Sequence, residues 1–134
     1  MKPMMNTTIL LLGSEPIGRS VFQEILENAG YSVFPAGDLG EAVDSLQKAI
    51  PDLLVIRAYI EDIPGYDAAT FLRTKCPGLR VLMVSGLIDD DRVQYRMALE
   101  GFEVFPKPFT AADLLEKVKA VLQKPRWRES GQNK

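Results

Sequence analysis

Residues 51–57, PDLLVIR, decide the fold class from the middle of the chain. Leu53 to Ile56 is an unbroken apolar run, which is typical of a strand buried on both faces of a parallel sheet. Pro51 and Asp52 form a turn before the run. Arg57 follows it, and a long cation at the mouth of a buried strand needs a partner because an unpaired buried charge is very costly.

Strand and helix patterns alternate on both sides of this stretch. Strand patterns cover residues 7–12, 31–34, 52–57, 80–84 and 102–105, and helix patterns cover about 14–29, 38–49, 68–75, 89–99 and 110–122. Five strands alternating with helices predict one α/β domain, a (βα)5 doubly wound parallel five-stranded sheet of flavodoxin-like type.

Local signals predict where the helices begin and which side chains they bury. Ser14, Asp38 and Thr110 stand at helix starts and are typical N-caps. Residues at helical spacing, among them Ile17, Val21 and Phe71, are expected to face the core. The stretch from 59 to 65 is predicted to be a loop.

Composition limits the class of protein. The chain has 134 residues, 46% apolar and 25% charged, with a net charge of -2, which is the balance of a single globular domain. We expect an extension at 1–6, a domain at 7–123 and a mobile tail at 124–134. No apolar run is long enough to cross a membrane and no signal peptide is recognised, so a cytoplasmic protein is expected.

Two residue types narrow the chemistry further. The only cysteine is Cys76, and it is expected to be inert and partly buried. The chain has no histidine, which excludes histidine general bases and histidine metal ligands.

Six short strings resemble those of one known family. They are LLGSEP at 11–16, AGDLGEA at 36–42, PDLLVIR at 51–57, IPGYD at 63–67, VLMVSG at 81–86 and FPKPF at 105–109. In order and spacing they resemble the receiver domain of two-component response regulators, over about residues 7–123. The resemblance implies the strand order 2-1-3-4-5 and a crevice at the carboxyl ends of strands one and three.

The resemblance also implies what each crevice position does in the family. Gly13 and Ser14 stand where the family has its magnesium-binding acids, and Arg57 stands where it has the phosphoacceptor aspartate. The remaining positions are Ser85 for the switch hydroxyl, Lys107 for the phosphoryl-binding lysine and Val104 for the aromatic switch residue. Magnesium requires oxygen ligands and acyl phosphate formation a carboxylate nucleophile, so we expect no catalytic residue, no metal site and no Mg²⁺ or other cofactor.

The charge of the crevice leaves two interpretations open. Arg57 and Lys107 bring positive charge to a site that is acidic in the family. Arg57 either forms a salt bridge with one of the acids Glu15, Glu61 and Asp62, or helps to bind an anion near the amino end of the first helix.

These observations predict a stand-alone pseudo-receiver of a two-component phosphorelay, which acts by protein–protein interaction without aspartyl phosphorylation and is not an enzyme. By family analogy, its partner surface comprises the fourth helix, fifth strand and fifth helix, and a homodimer remains open. The alternative is a small anion- or ligand-binding protein or enzyme on a flavodoxin-like fold, using the crevice of Ser14, Arg57 and Lys107. No nucleophile–base pair supports that alternative.

The basic and aromatic residues near the carboxyl terminus raise the question of whether the protein binds nucleic acid. They are Lys124, Arg126, Trp127 and Arg128. We do not expect nucleic-acid binding, because a nucleic-acid footprint is normally broader than four residues.

Overall fold

The computed structural model describes residues 7–57, 59–60, 63–85, 101–106 and 110–125, of which 57, 59–60, 63–64, 85 and 103–106 are described by their backbone alone. The strands are β1 Thr8–Leu12, β2 Ser32–Ala36, β3 Leu53–Arg57, β4 Tyr59–Ile60, β5 Ile63–Pro64, β6 Val81–Ser85 and β7 Glu103–Pro106. The helices are α1 Pro16–Asn28, α2 Leu39–Leu46, α3 Gly65–Lys75 and α4 Ala111–Leu122.

The larger sheet is parallel and has the strand order β2-β1-β3-β6-β7. β3 is central because its run of aliphatic side chains tolerates burial on both faces. This arrangement confirms the predicted α/β fold with a parallel sheet. The predicted fourth helix, at about 89–99, lies outside the described residues, so the full (βα)5 count remains a prediction.

Helices cover both faces of the sheet. Leu10, Leu12, Leu54 and Ile56 point to the side of α2 and α3, where they pack with Leu72 and its neighbours. Successive residues of a strand face opposite sides, so Ile9, Leu11, Leu53 and Val55 meet Leu26 of α1 and Val118 of α4 on the other side. Each aliphatic residue of the central strands therefore contributes to one of two cores.

The structure corrects one helix start. α1 begins at Pro16, and its N-cap is Glu15, whose Oε1 accepts a hydrogen bond from the Gly18 amide at 2.5 Å. Ser14 precedes the cap and does not fill it. The other two predicted caps are confirmed, since Asp38 accepts from the Glu41 amide and Thr110 forms a capping box with Asp113.

Three residues predicted to face the core are exposed. Ile17 of α1 is 74% exposed, Val21 is 49% exposed and Phe71 of α3 is 41% exposed. Leu26 and Leu72, which were also expected to face inward, are buried, and Phe22 is buried beside Leu26. Phe71 instead lies under the ammonium of Lys75, which is 5.2 Å from its ring centroid.

The segment after β3 also differs from the predicted loop. Tyr59–Ile60 and Ile63–Pro64 pair as a short antiparallel hairpin, and α3 already begins at Gly65. Cys76 is buried, more completely than the partial burial expected from the sequence. Within the described ranges, no helix has the length and apolar character needed to cross a membrane.

Candidate functional site at the carboxyl edge of the sheet

The sheet register brings several of the predicted site positions to one edge. Leu12 pairs with Ile56, and Arg57 pairs with Val84. Gly13 follows Leu12, so Gly13 and Arg57 leave neighbouring strands at the same level. Ser85 is the last residue of β6 and pairs with Pro106 of β7. The backbone therefore collects Gly13, Arg57 and Ser85 at the carboxyl edge.

The remaining predicted positions are placed differently. Val104 lies inside β7 opposite Met83, two residues before the end of the strand. Lys107 comes directly after the last residue of β7 and, like Glu61 and Asp62, lies outside the described residues.

Both backbone polar groups of Gly13 form hydrogen bonds. Its amide donates to the carbonyl oxygen of Ala36 at 3.0 Å, which extends the pairing of β1 with β2 by one residue. Its carbonyl oxygen accepts a hydrogen bond from Nη1 of Arg19 at 2.5 Å. Gly13 is buried and the adjoining Ser14 is half-buried, so the end of β1 is a closely packed part of the crevice.

Arg19 is a site residue that the sequence patterns did not single out. It lies in the first turns of α1, and its guanidinium reaches back over the end of β1 towards the loop after β2. A β-carbon added to Gly37 would be 3.1 Å from Nη1 of Arg19 and 3.3 Å from Oε1 of Glu41. The absence of a side chain at Gly37 therefore leaves room for the arginine.

One signal in the sequence could have drawn attention to Arg19. A cation near the amino end of a helix is disfavoured by the helix dipole, and α1 has no acidic residue in its first turn. An arginine at such a position indicates a local acceptor, which here is the Gly13 carbonyl.

The described acids near this edge bond to backbone amides. Glu15 caps α1 through Gly18. Glu41 accepts from the Gly37 amide through Oε1 at 2.6 Å, and Asp38 accepts from the Glu41 amide at 2.8 Å. These carboxylates stabilise helix starts and the loop before α2. In the part of the chain that the structure describes, no three His, Cys, Asp or Glu side chains cluster so as to hold a metal ion.

Comparison with known protein families gives a match over most of the chain. The family model described as "Response regulator receiver domain" matches residues 9–119. The chain is 30% identical to the transcriptional regulatory protein CpxR of Escherichia coli K12 over 125 residues, which are 93% of this chain and 53% of CpxR. It is 26% identical to sporulation initiation phosphotransferase F of Bacillus subtilis, covering 89% of this chain and 96% of that protein.

The regulatory relatives are longer than this chain. The chain spans about half the length of CpxR, and likewise covers 50% of the probable transcriptional regulatory protein TcrX of Mycobacterium tuberculosis, to which it is 28% identical over 87% of its own length. The activities of those longer proteins are therefore not assigned to this chain.

Solved structures share the fold. The chemotaxis protein CheY4 of Vibrio cholerae superposes with a TM-score of 0.78 at 23% identity, covering 87% of this chain and 98% of that one. A CheY-like receiver domain of Methanospirillum hungatei gives a TM-score of 0.77 at 24% identity, covering 87% of this chain and 94% of that one.

Proposed function

This chain belongs to the response-regulator receiver family of two-component systems, and on that premise we propose that it is a pseudo-receiver that works by protein–protein interaction without aspartyl phosphorylation. The observation that carries the proposal is Arg57 at the carboxyl end of β3, where the family resemblance puts the phosphoacceptor aspartate. A guanidinium cannot replace a carboxylate as the nucleophile that accepts a phosphoryl group.

The other crevice residues support the same proposal because they lack the ligands that a magnesium ion needs. Receivers of this family use a magnesium ion, and Mg²⁺ binds carboxylate oxygens and waters in near-octahedral geometry. Gly13 has no side chain and Ser14 offers one hydroxyl. The nearby Glu15 carboxylate already caps α1. These residues do not fit a magnesium ion, so we derive no step that passes through one.

Arg19 supports a permanently positive crevice. Its guanidinium is fixed on the Gly13 carbonyl, beside the strand that ends in Arg57. Two arginines at neighbouring strand ends repel each other unless negative charge lies between or beside them. Because Glu15 is committed to the α1 cap, we favour Glu61 or Asp62 as the partner of Arg57. Such an ion pair would hold the crevice in one state whether or not a kinase is active.

The output of a pseudo-receiver is binding to another protein. By analogy with the family, we assign the partner surface to the predicted fourth helix together with β7 and α4, which is the predicted fifth helix. A second copy of the chain is one candidate partner, and a cytoplasmic location belongs to the same proposal. This role requires no enzymatic activity.

A titration with a purified partner, followed by calorimetry, tests the proposal. The partner should bind with the same affinity in the presence and absence of acetyl phosphate and Mg²⁺, because nothing in the crevice accepts the phosphoryl group. An affinity for the partner that changes when acetyl phosphate and Mg²⁺ are added to wild type would overturn the proposal.

Arg19 also favours one alternative, in which the crevice binds a small anion. Arg19 adds a guanidinium beside Arg57, and arginine binds oxyanions through its planar fork of donors. The matched test is an NMR titration with inorganic phosphate. Saturable shifts of the Gly13 and Ser14 amides that disappear in Arg19→Gln would favour this alternative over a purely protein-binding role.

A further inference from the structure

One buried aromatic ring contacts two side chains of α3. Phe102, the residue before β7, is 5% exposed. The ring of Tyr66, in the first turn of α3, meets it edge to face, with centroids 5.7 Å apart and an interplanar angle of 65°. The Arg73 guanidinium, about two turns further along α3, lies 4.6 Å from the same centroid. Both distances are typical of attractive aromatic and cation–π contacts.

The backbone constrains the positions of Arg73 and Phe102. Arg73 donates from Nε and Nη2 to the carbonyl oxygen of Leu79, shortly before β6, at 3.1 and 2.7 Å. Gly101 has a φ of 76°, in the left-handed region that glycine adopts at little cost, and it leads the chain into Phe102. The entries to β6 and β7 therefore meet α3 around one ring.

Tyr66 links this ring to the crevice along the chain. Arg57 ends β3, the hairpin of β4 and β5 follows, and α3 begins at Gly65, one residue before Tyr66. Tyr66 also packs against the core on the side of α2 and α3, to which Ile56 and Phe102 both belong. Because this core is closely packed, a displacement of the hairpin moves the first turn of α3 and, through the Tyr66 ring, Phe102.

The sheet provides a second and independent route from Arg57 to β7. Arg57 pairs with Val84, and Val84 pairs with Phe105. This route reaches β7 three residues after Phe102. The two routes therefore arrive at different amides, and a measurement on each amide can separate them.

We propose that Tyr66 transmits structural changes from the Arg57 end of the crevice to Phe102 at the start of β7. Tyr66 is then a positioning residue, which acts through the Phe102 ring and touches no ligand. The inference rests on the proposed function in one respect, because β7 belongs to the partner surface proposed above. It adds a form of regulation, in which the group bound by Arg57 changes the position of that surface.

Backbone amide NMR tests the proposal without a partner. Arg57→Ala should shift the Phe102 amide resonance in the otherwise wild-type chain and shift it far less in a Tyr66→Leu background. The Phe105 amide should respond in both backgrounds, because it reaches Arg57 through Val84. A Phe102 shift that is equal in the two backgrounds, or absent from both, would overturn the proposal.

Two further backgrounds show whether the Tyr66 ring itself is responsible. Tyr66→Phe keeps the ring and should retain the Phe102 response. Phe71→Leu removes another aromatic ring of α3, one that is exposed and lies under Lys75, and should also retain it. A response lost in either background as fully as in Tyr66→Leu would overturn the proposal. Far-UV circular dichroism establishes that each variant is folded.

Failure of this inference is distinguishable from failure of the proposed function. An absent Phe102 response removes the route through Tyr66 and leaves the outcome of the acetyl phosphate titration unchanged. An affinity for the partner that depends on acetyl phosphate overturns the pseudo-receiver proposal and leaves the Phe102 response as measured.

Discussion

Arg19 donates from its Nη1 to the carbonyl oxygen of Gly13 at 2.5 Å, and this bond joins the first turns of α1 to the end of β1. It places a fixed guanidinium beside Gly13, the position to which the family resemblance assigns one of the magnesium-binding acids. The bond also depends on the loop after β2, because Gly37 leaves space for the guanidinium.

Replacing Gly37 by alanine should disturb this arrangement. The added β-carbon would lie 3.1 Å from Nη1 of Arg19, so the arginine has to move and its bond to Gly13 weakens. Losing a hydrogen bond of this kind costs about 1 kcal/mol. Urea unfolding of Gly37→Ala should show a decrease of that size in the free energy of unfolding.

Gly40→Ala is the matched control for that variant. Its β-carbon would meet only Oδ1 of Asp38, at 3.4 Å, and Gly40 lies within α2. Alanine in a helix is favoured over glycine by about 0.5–1 kcal/mol, so Gly40→Ala should stabilise the protein. Equal stabilisation by both substitutions would show that Arg19 is not confined by Gly37.

Arg57→Ala should weaken binding to the partner while leaving the stability of the fold nearly unchanged. An ion pair near the surface contributes about 1 kcal/mol or less, so the free energy of unfolding should change little. If the partner recognises the state held by Arg57, the same variant should bind it more weakly in calorimetry. Unchanged affinity would mean that Arg57 has no present role in binding.

Tyr31 makes stability depend on pH in the alkaline range. The residue is 8% exposed, and burial raises the pKa of its phenol above the ordinary 10.0. The folded protein therefore keeps this proton at pH values where the unfolded chain has lost it. The stabilisation is fully present below the unfolded pKa of about 10 and is lost as pH rises through the higher folded pKa.

Tyr31→Phe provides the check, because phenylalanine does not titrate. Unfolding midpoints measured from about pH 8 to pH 11 should fall more steeply for wild type than for the variant once the pH exceeds about 10. Parallel curves for the two proteins would show that Tyr31 ionises equally easily in both states.

Restoring carboxylates should restore metal binding only when all three are present. Arg57→Asp alone leaves Gly13 and Ser14 without carboxylates, and we expect no effect of Mg²⁺ on its melting temperature. The triple variant Gly13→Asp, Ser14→Asp, Arg57→Asp should melt lower without metal, because like charges gather at a buried strand end, and should melt higher with Mg²⁺. If Mg²⁺ does not stabilise the triple variant, the assignment of the site positions is wrong.

The fold could be predicted from the sequence because its signals are strong and local. The uninterrupted run Leu53–Ile56 is buried on both sides, as a central parallel strand requires. Asp38 and Thr110 mark helix starts with side chains that bond the expected backbone amides. These features depend on residues adjacent in sequence.

Other features depend on competition between neighbours and were not predictable. Helical spacing suggested Ile17, Val21 and Leu26 as core residues; Leu26 is buried as expected, but Phe22 is buried beside it while Ile17 and Val21 are exposed. Glu15 caps α1 in place of Ser14 because the helix begins at Pro16, which makes residue 15 the N-cap, and its Oε1 accepts from the Gly18 amide. Arg19 bonds a backbone carbonyl, that of Gly13, and the one hint in the sequence was a cation in the first turns of a helix.

Phosphorylation of the wild-type chain tests the central claim most directly. The purified protein is incubated with acetyl phosphate and Mg²⁺ and analysed by intact-mass spectrometry, with the triple aspartate variant treated in parallel. We expect wild type to gain no phosphoryl group, because Arg57 stands at the end of β3 in place of a carboxylate. A base-labile phosphoryl adduct on any aspartate of the wild-type protein would contradict it.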